Sequence, residues 1–181
     1  MYPVDYIISA VMKLSKKYRT RDPYELCDAL DVNIKLKDLG DKIKAFYFHQ
    51  SRVSNIILNR RVPEPMRGIL AAHELGHDQL HRHIAKLKGF HETELFCKTN
   101  PTEYEANIFA AELMISDKEL LELLNDEKSF IDVASELYVP PALLDFKIRV
   151  LEHKGYSVKP LYIANGDFLS NEIDCFHEEE Y

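Results

Sequence analysis

The stretch Ala71-Ala72-His73-Glu74-Leu75-Gly76-His77 carries H-E-x-x-H, a pattern that sets two imidazoles and a carboxylate for metal-assisted hydrolysis. On an α-helix each residue advances by about 100°, so with His73 at zero His77 falls at about 40° and Glu74 at about 100°. Both imidazoles then sit one turn apart on one face and can hold one ion, with Glu74 leaning to the same side. Zn2+ is the expected ion, because neutral imidazole nitrogen binds it well and a catalytic site leaves one position for water. The ion lowers the pKa of that water from about 15.7 to about 7. Glu74 is the candidate general base, and then the donor of the proton to the leaving amine.

A third ligand is needed, and three residues compete for the place. His83 stands ten residues after His73, the spacing of H-E-x-x-H-x-x-G-x-x-H, but Leu80 occupies the glycine position that would let the chain leave the helix. Glu103 lies on the next helical stretch, Pro101 to Ile115. With Glu103 at zero, Asn107, Ala110, Ala106 and Met114 fall within about 60° of it. The alanines allow the close approach that a short carboxylate arm requires, and Asn107 one turn on could hydrogen-bond a ligating imidazole. Glu105 falls at about 200°, beside Glu112 at about 180°, on what reads as a solvated face. Glu103 is therefore preferred. The same letters, Asn100-Pro101-Thr102-Glu103, also permit a capping box. His81 sits at about 80° on the metal helix, where contact with a ligand or substrate competes with a solvated helix end.

The elements that must carry these residues follow from periodicity. Ile7, Ile8, Val11, Met12 and Leu14 recur at helical spacing and predict a helix from about Val4 to Tyr18. Asp22-Pro23 is an N-cap followed by proline at the first helical position, opening a second helix to about Leu30. Val32, Ile34 and Leu36 alternate with polar residues, as in a half-buried strand. Runs at Lys44 to His49 and Asn55 to Asn59 predict a hairpin whose second strand leads into the metal helix. Such a strand beside the site could accept an extended peptide by strand addition. Ile84 to Thr99 has no clear period and reads as irregular structure.

The 181 residues suit one domain, or one domain with a small appendage. The net charge of −7 is concentrated between Asn171 and Tyr181, which hold five acids and no Lys or Arg. The near-neutral remainder lacks an electrostatic footprint for nucleic acid. Cys27, Cys97 and Cys175 make no C-x-x-C pair and no evident disulfide framework, which fits a reducing cytosol. The beginning of the chain does not read as a signal peptide, and no stretch has the apolar length of a membrane span. A cytoplasmic protein is expected.

Two blocks, Ala72-His73-Glu74-Leu75-Gly76-His77 and Glu103-Tyr104-Glu105-Ala106-Asn107-Ile108-Phe109-Ala110-Ala111-Glu112-Leu113-Met114-Ile115, resemble the ImmA/IrrE family of metallopeptidases. Lys16 to Leu26 resembles the family's N-terminal entry. The likeness covers roughly Lys13 to Lys154 and departs from the usual pattern at Ser116, where many members have proline, and at Asp78-Gln79. It implies a zincin-like fold, with a small sheet packed beside the zinc helix and its partner helix. It also implies metal ligands at His73, His77 and Glu103 with Glu74 as base. Characterised members cleave a helix-turn-helix repressor, often encoded by a neighbouring gene, and so relieve repression of a prophage, mobile element or stress regulon. That substrate class is an implication of the likeness alone.

Ser129 to Lys154 could form a helix-turn-helix, with helices at Ile131 to Leu137 and Ala142 to Glu152 and Tyr138 in place of the usual turn glycine. Its four acids against three bases cannot neutralise many phosphates, so packing or protein recognition is preferred over DNA binding. The expected organisation is a metallopeptidase domain over residues 1–125, a helical segment over 126–160, and a short hairpin with an acidic tail over 161–181. The expected class is α+β, with a small mixed sheet on the H-E-x-x-H helix and its partner and a helical C-terminal part. The expected activity is a zinc-dependent endopeptidase whose partner is a cognate repressor. The competing readings are an anti-repressor that binds without cutting and a DNA-binding helix-turn-helix module. For the oxyanion, Tyr47, Tyr104 and His81 are all open. Cys175 and His177 are assigned no role.

Overall fold

The computed structural model describes residues 1–85, 90–92, 96, 100–124 and 128–158. The expected hairpin and tail over 161–181, with Cys175 and His177, and also Cys97, lie outside the described residues. Helix α1, Val4–Tyr18, buries Ile7, Ile8, Val11 and Leu14 of the stripe its period predicts, while Met12 of that stripe is exposed. Helix α2, Pro23–Ala29, begins at Asp22, whose carboxylate accepts from the backbone N–H groups of Tyr24 and Glu25. That contact satisfies two of the donors a helix start leaves unpaired.

Strands β1, Val32–Lys37, β2, Ala45–Gln50, β3, Val53–Asn59, and β4, Phe90–Glu92, form one mixed sheet in the order β1-β3-β2-β4. β2 and β3 are the predicted hairpin, antiparallel with Tyr47 opposite Ile56. Its two-residue turn, Ser51-Arg52, takes positive φ at both positions, the geometry that suits the right-handed twist of the strands. β1 returns parallel to β3. β3 is therefore paired along both edges, and peptide addition to it is excluded; the outer strands are β1 and β4. β4 also supplies order within the stretch expected to be irregular.

Helix α3, Glu64–Ala85, lies across β2 and β3 and carries the H-E-x-x-H residues. It continues through the buried Leu80, so His83 stays on the same unbroken helix and is exposed rather than turned back toward His73. Helix α4, Pro101–Met114, packs against α1, α3 and α7, Pro141–His153. Every residue from Glu105 to Leu113 is buried. The solvated face expected at Glu105 and Glu112 does not exist, because a helix surrounded by three others has none over that length.

Both acids are satisfied from neighbouring elements. Glu112 accepts from Lys147 on α7 at 2.6 Å and from Lys154 at 2.7 Å. Asp117, at the start of α5, Asp117–Leu124, accepts from the same two lysines. Lys147 is fully buried, and a charge so placed is tolerable only when paired and hydrogen-bonded. Helix α6, Phe130–Glu136, opens with a Ser129–Asp132 capping box. Tyr138, between α6 and α7, takes the left-handed conformation that a glycine would adopt at less cost. The bases of this region are held internally, Arg149 by Asp145 and Lys147 and Lys154 by Glu112 and Asp117. Among the described residues no helix is long and apolar enough to cross a membrane.

Candidate metal centre

The centre is built from one face of α3 and one face of α4. Their close approach has a specific cause at Gly76. A Cβ there would lie 3.2 Å from Ala106 Cα, 3.2 Å from Phe109 Cβ and 3.3 Å from the Ala106 carbonyl oxygen. The absence of that carbon lets the α3 backbone rest on α4. Ala106, Ala110 and Ala111, all fully buried, keep the seam thin from the other side.

Across the seam, His73 Nε2 and His77 Nε2 are 3.1 Å apart. Glu103 Oε2 stands 3.1 Å from the first and 3.4 Å from the second. The two imidazoles are almost inaccessible, and Glu103 keeps a small exposed edge. Glu103 does not cap its own helix; Asn100 does, accepting from the Thr102 backbone N–H.

The residues present fit a divalent ion. The opposite ring nitrogen of His73, Nδ1, lies 2.9 Å from Asn107 Oδ1, which can only accept. Nδ1 must carry the proton, and Nε2 of a neutral ring presents its lone pair toward Glu103. His77 Nδ1 lies 3.0 Å from His81 Nδ1. His81 Nε2 is 2.7 Å from the carboxylate of Glu105, so the proton order along this chain leaves His77 Nε2 as a lone pair too. Three acceptors thus converge, an arrangement that repels itself without a cation. Donor atoms around a tetrahedral zinc with bonds of about 2.1 Å stand about 3.4 Å from one another. The observed triangle needs only slight expansion.

Burial, with smaller contributions from His73 and His81, holds His77 down at about 4, against the pull of Glu103. The ring is therefore neutral at ordinary pH and able to ligate. Burial pushes the Glu103 carboxyl up, but the two imidazoles beside it, His73 and His77, outweigh burial and keep it below the usual carboxylate range, so it faces the rings as a carboxylate. Burial lowers His81, opposed by Glu105. Glu74 lies between the two histidines in α3 and is fully buried.

The other expected positions divide clearly. Asn107 touches His73 as its wheel position anticipates. His81 is buried with both ring nitrogens engaged, so neither a solvated helix end nor an oxyanion contact describes it. The Tyr47 hydroxyl is directed to Asp78 Oδ1 at 2.8 Å. Burial, only partly offset by Ser54, raises that phenol further above its ordinary value. Tyr104 packs its ring on Phe146.

Two partnerships had no reading from sequence. Asp78 is buried and gathers Tyr47, Ser54, Gln79 and Arg82, tying the hairpin to α3. His49 Nδ1 lies 2.8 Å from Ser54 Oγ, but that hydroxyl donates directly to Asp78. The serine stands between histidine and aspartate, so the three do not form the relay of a serine hydrolase. The second is Glu105 with His81. The i, i+4 spacing of His77 and His81 was a visible signal for half of it; its acidic partner comes from another helix.

The profile of the peptidase M78 family, described as the IrrE N-terminal-like domain, matches residues 27–149. The chain is 35% identical over 145 residues to an uncharacterized immunity region protein 2 of Bacillus phage phi105, covering 80% of this chain and 90% of that one. It is 27% identical over 140 residues to the metallopeptidase ImmA of Bacillus subtilis strain 168, covering 76% of this chain and 81% of the relative.

Proposed function

The chain belongs to the peptidase family of IrrE N-terminal-like domains, and from that membership we propose that it is a zinc-dependent endopeptidase that cleaves a helix-turn-helix repressor. The observation that carries the enzymatic part is the convergence of His73 Nε2, His77 Nε2 and Glu103 Oε2 within 4.8 Å of one another. The likeness to a protein named metallopeptidase ImmA supports the reaction class. The likeness to a phage immunity region protein supports a substrate connected with immunity control.

In this reading His73, His77 and Glu103 hold the metal, and Asn107 and His81 keep the two rings turned toward it. Zinc bound there supplies a Lewis acid for the scissile carbonyl and makes hydroxide available near neutral pH. Glu74 accepts the proton from the attacking water and returns it to the departing amine, so that the products are a free carboxylate and a free amine. The burial of the seam between α3 and α4 strengthens each of these electrostatic contacts relative to water. The protein acts in the cytoplasm, where such a repressor resides.

The test is co-expression with each helix-turn-helix repressor found encoded near this gene, comparing wild type with Glu74→Gln on an immunoblot. Repressor fragments with wild type alone are expected. Derepression with the repressor intact in both strains would replace cleavage with inhibition by binding.

A further inference from the structure

We propose that the backbone just ahead of α1 is part of the metal centre: the Tyr2 N–H, Glu105 and His81 form a buried relay that holds the His77 ring with Nε2 as its ligating atom. The inference rests on the reading of His73, His77 and Glu103 as metal ligands, and adds how one of them is kept in place.

The two imidazoles are oriented by different means. His73 is held by Asn107, a neighbour of Glu103 on the same helix. His77 is held by a chain of three contacts. Its Nδ1 meets His81 Nδ1 at 3.0 Å, His81 Nε2 meets Glu105 Oε2 at 2.7 Å, and Glu105 Oε1 accepts from the Tyr2 backbone N–H. His81 and Glu105 are each no more than 3% exposed.

A carboxylate accepts only, so His81 carries its proton on Nε2 and offers a bare Nδ1. That nitrogen accepts from His77 Nδ1–H. With both rings neutral, this order makes every contact attractive and leaves the His77 Nε2 lone pair facing His73 and Glu103. Reversing it would set a bare His81 nitrogen against a carboxylate inside a dry core.

The far end of the relay depends on a segment distant in sequence. Tyr2 and Glu105 are 103 positions apart. The Tyr2 ring stacks on Tyr6 at 4.9 Å and lies 6.2 Å from the His81 ring, so the segment is seated on the relay as well as bonded to it. Lifting it would uncover one oxygen of a buried carboxylate and loosen the ring that the carboxylate steadies. Partners of ligating histidines are typically worth about 10–100-fold in metal affinity. The segment ahead of α1 therefore sets how tightly the protein holds its metal, although it supplies no ligand.

The experiment measures Zn2+ affinity of the full-length, metal-stripped protein by competition with a chromogenic chelator, alongside the Co2+ absorption spectrum and the melting temperature without metal. His81→Leu and Glu105→Gln are expected to bind about 10–100-fold more weakly than wild type. His81→Asn, which keeps an acceptor close to where Nδ1 stood, should recover most of that loss. Tyr2→Ala removes the ring and keeps the N–H; Tyr2→Pro removes both and should bind several-fold more weakly than Tyr2→Ala. A merely structural role would lower the metal-free melting temperature of His81→Leu and His81→Asn alike without separating their affinities, and that result would overturn the relay. Equal affinities for Tyr2→Ala and Tyr2→Pro would overturn its link to the segment ahead of α1. Wild type that binds no zinc would defeat the ligand reading itself and the relay with it. Wild type that binds zinc while the His81 and Glu105 variants match it would defeat the relay alone.

Discussion

Gly76→Ala tests whether the thin seam between α3 and α4 is what delivers Glu103 to the imidazoles. The added Cβ would stand 3.2 Å from Ala106 Cα and Phe109 Cβ and 3.3 Å from the Ala106 carbonyl oxygen. Carbon atoms in comfortable contact lie about 3.5–4.0 Å apart, so α4 must retreat by a few tenths of an ångström. Two of the three opposing atoms are backbone and cannot swing aside. Glu103 is one turn from Ala106 on the same helix, so the retreat adds to its present gaps of 3.1 Å and 3.4 Å from the two ring nitrogens. Metal sites hold their bond lengths to within about 0.2 Å.

For folding, two opposing effects partly offset each other. Replacing a helical glycine by alanine gains about 1 kcal/mol, and overpacking costs about 1–3 kcal/mol. The net change lies between nothing and about 2 kcal/mol of destabilisation. Metal binding has no such compensation, and a loss of at least about tenfold, or 1.4 kcal/mol, is expected. Isothermal titration of the metal-stripped protein with Zn2+, paired with urea unfolding, separates the two quantities. Zinc affinity within twofold of wild type, in a variant that folds normally, would refute the claim that this contact positions the ligand.

Glu74→Gln should leave zinc affinity near wild type and reduce peptide hydrolysis by about 10²–10⁴-fold, read as initial rate against bound metal. Asn107→Leu, which leaves His73 Nδ1–H without its acceptor, should weaken zinc binding by about 10–100-fold in a chelator competition. Lys147→Met strands Glu112 in the core with only Lys154 to answer it, and should cost about 3 kcal/mol in urea unfolding. Cys27 is pushed up to about 12 by burial, then by Asp78 and Asp22. Peptide mapping after iodoacetamide treatment of the native protein at pH 8 should find Cys27 unmodified. Its folded pKa lies above the unfolded one, so the stability it confers is complete below about pH 9 and declines as the pH climbs toward 12.

The chain announces most of its helices and its hairpin because those depend on neighbours in sequence. The bounds of α1, the Asp22 cap of α2, and the β2–β3 pairing follow from period and turn chemistry. The same local rule, about 100° per residue, brings His73 and His77 to one face and ranks Glu103 with Asn107. The α5 helix had no reading at all, and the third turn of contacts beyond H-E-x-x-H was misjudged. Glu105 and Glu112 carry polar letters that a helical wheel sends outward, and His81 reads as near a solvated helix end, yet all three are buried.

Their burial depends on α1, α3 and α7 closing around α4, and on the Tyr2 N–H, Lys147 and Lys154 arriving from more than 30 residues away. A buried charge is decided by its partner, and a partner on another helix leaves no period in the sequence. The atoms around the candidate ion are thus written along one helix at a time. The network that steadies them exists only once four helices have met, because every bond in it except the His77–His81 contact joins groups whose separation the chain order does not constrain.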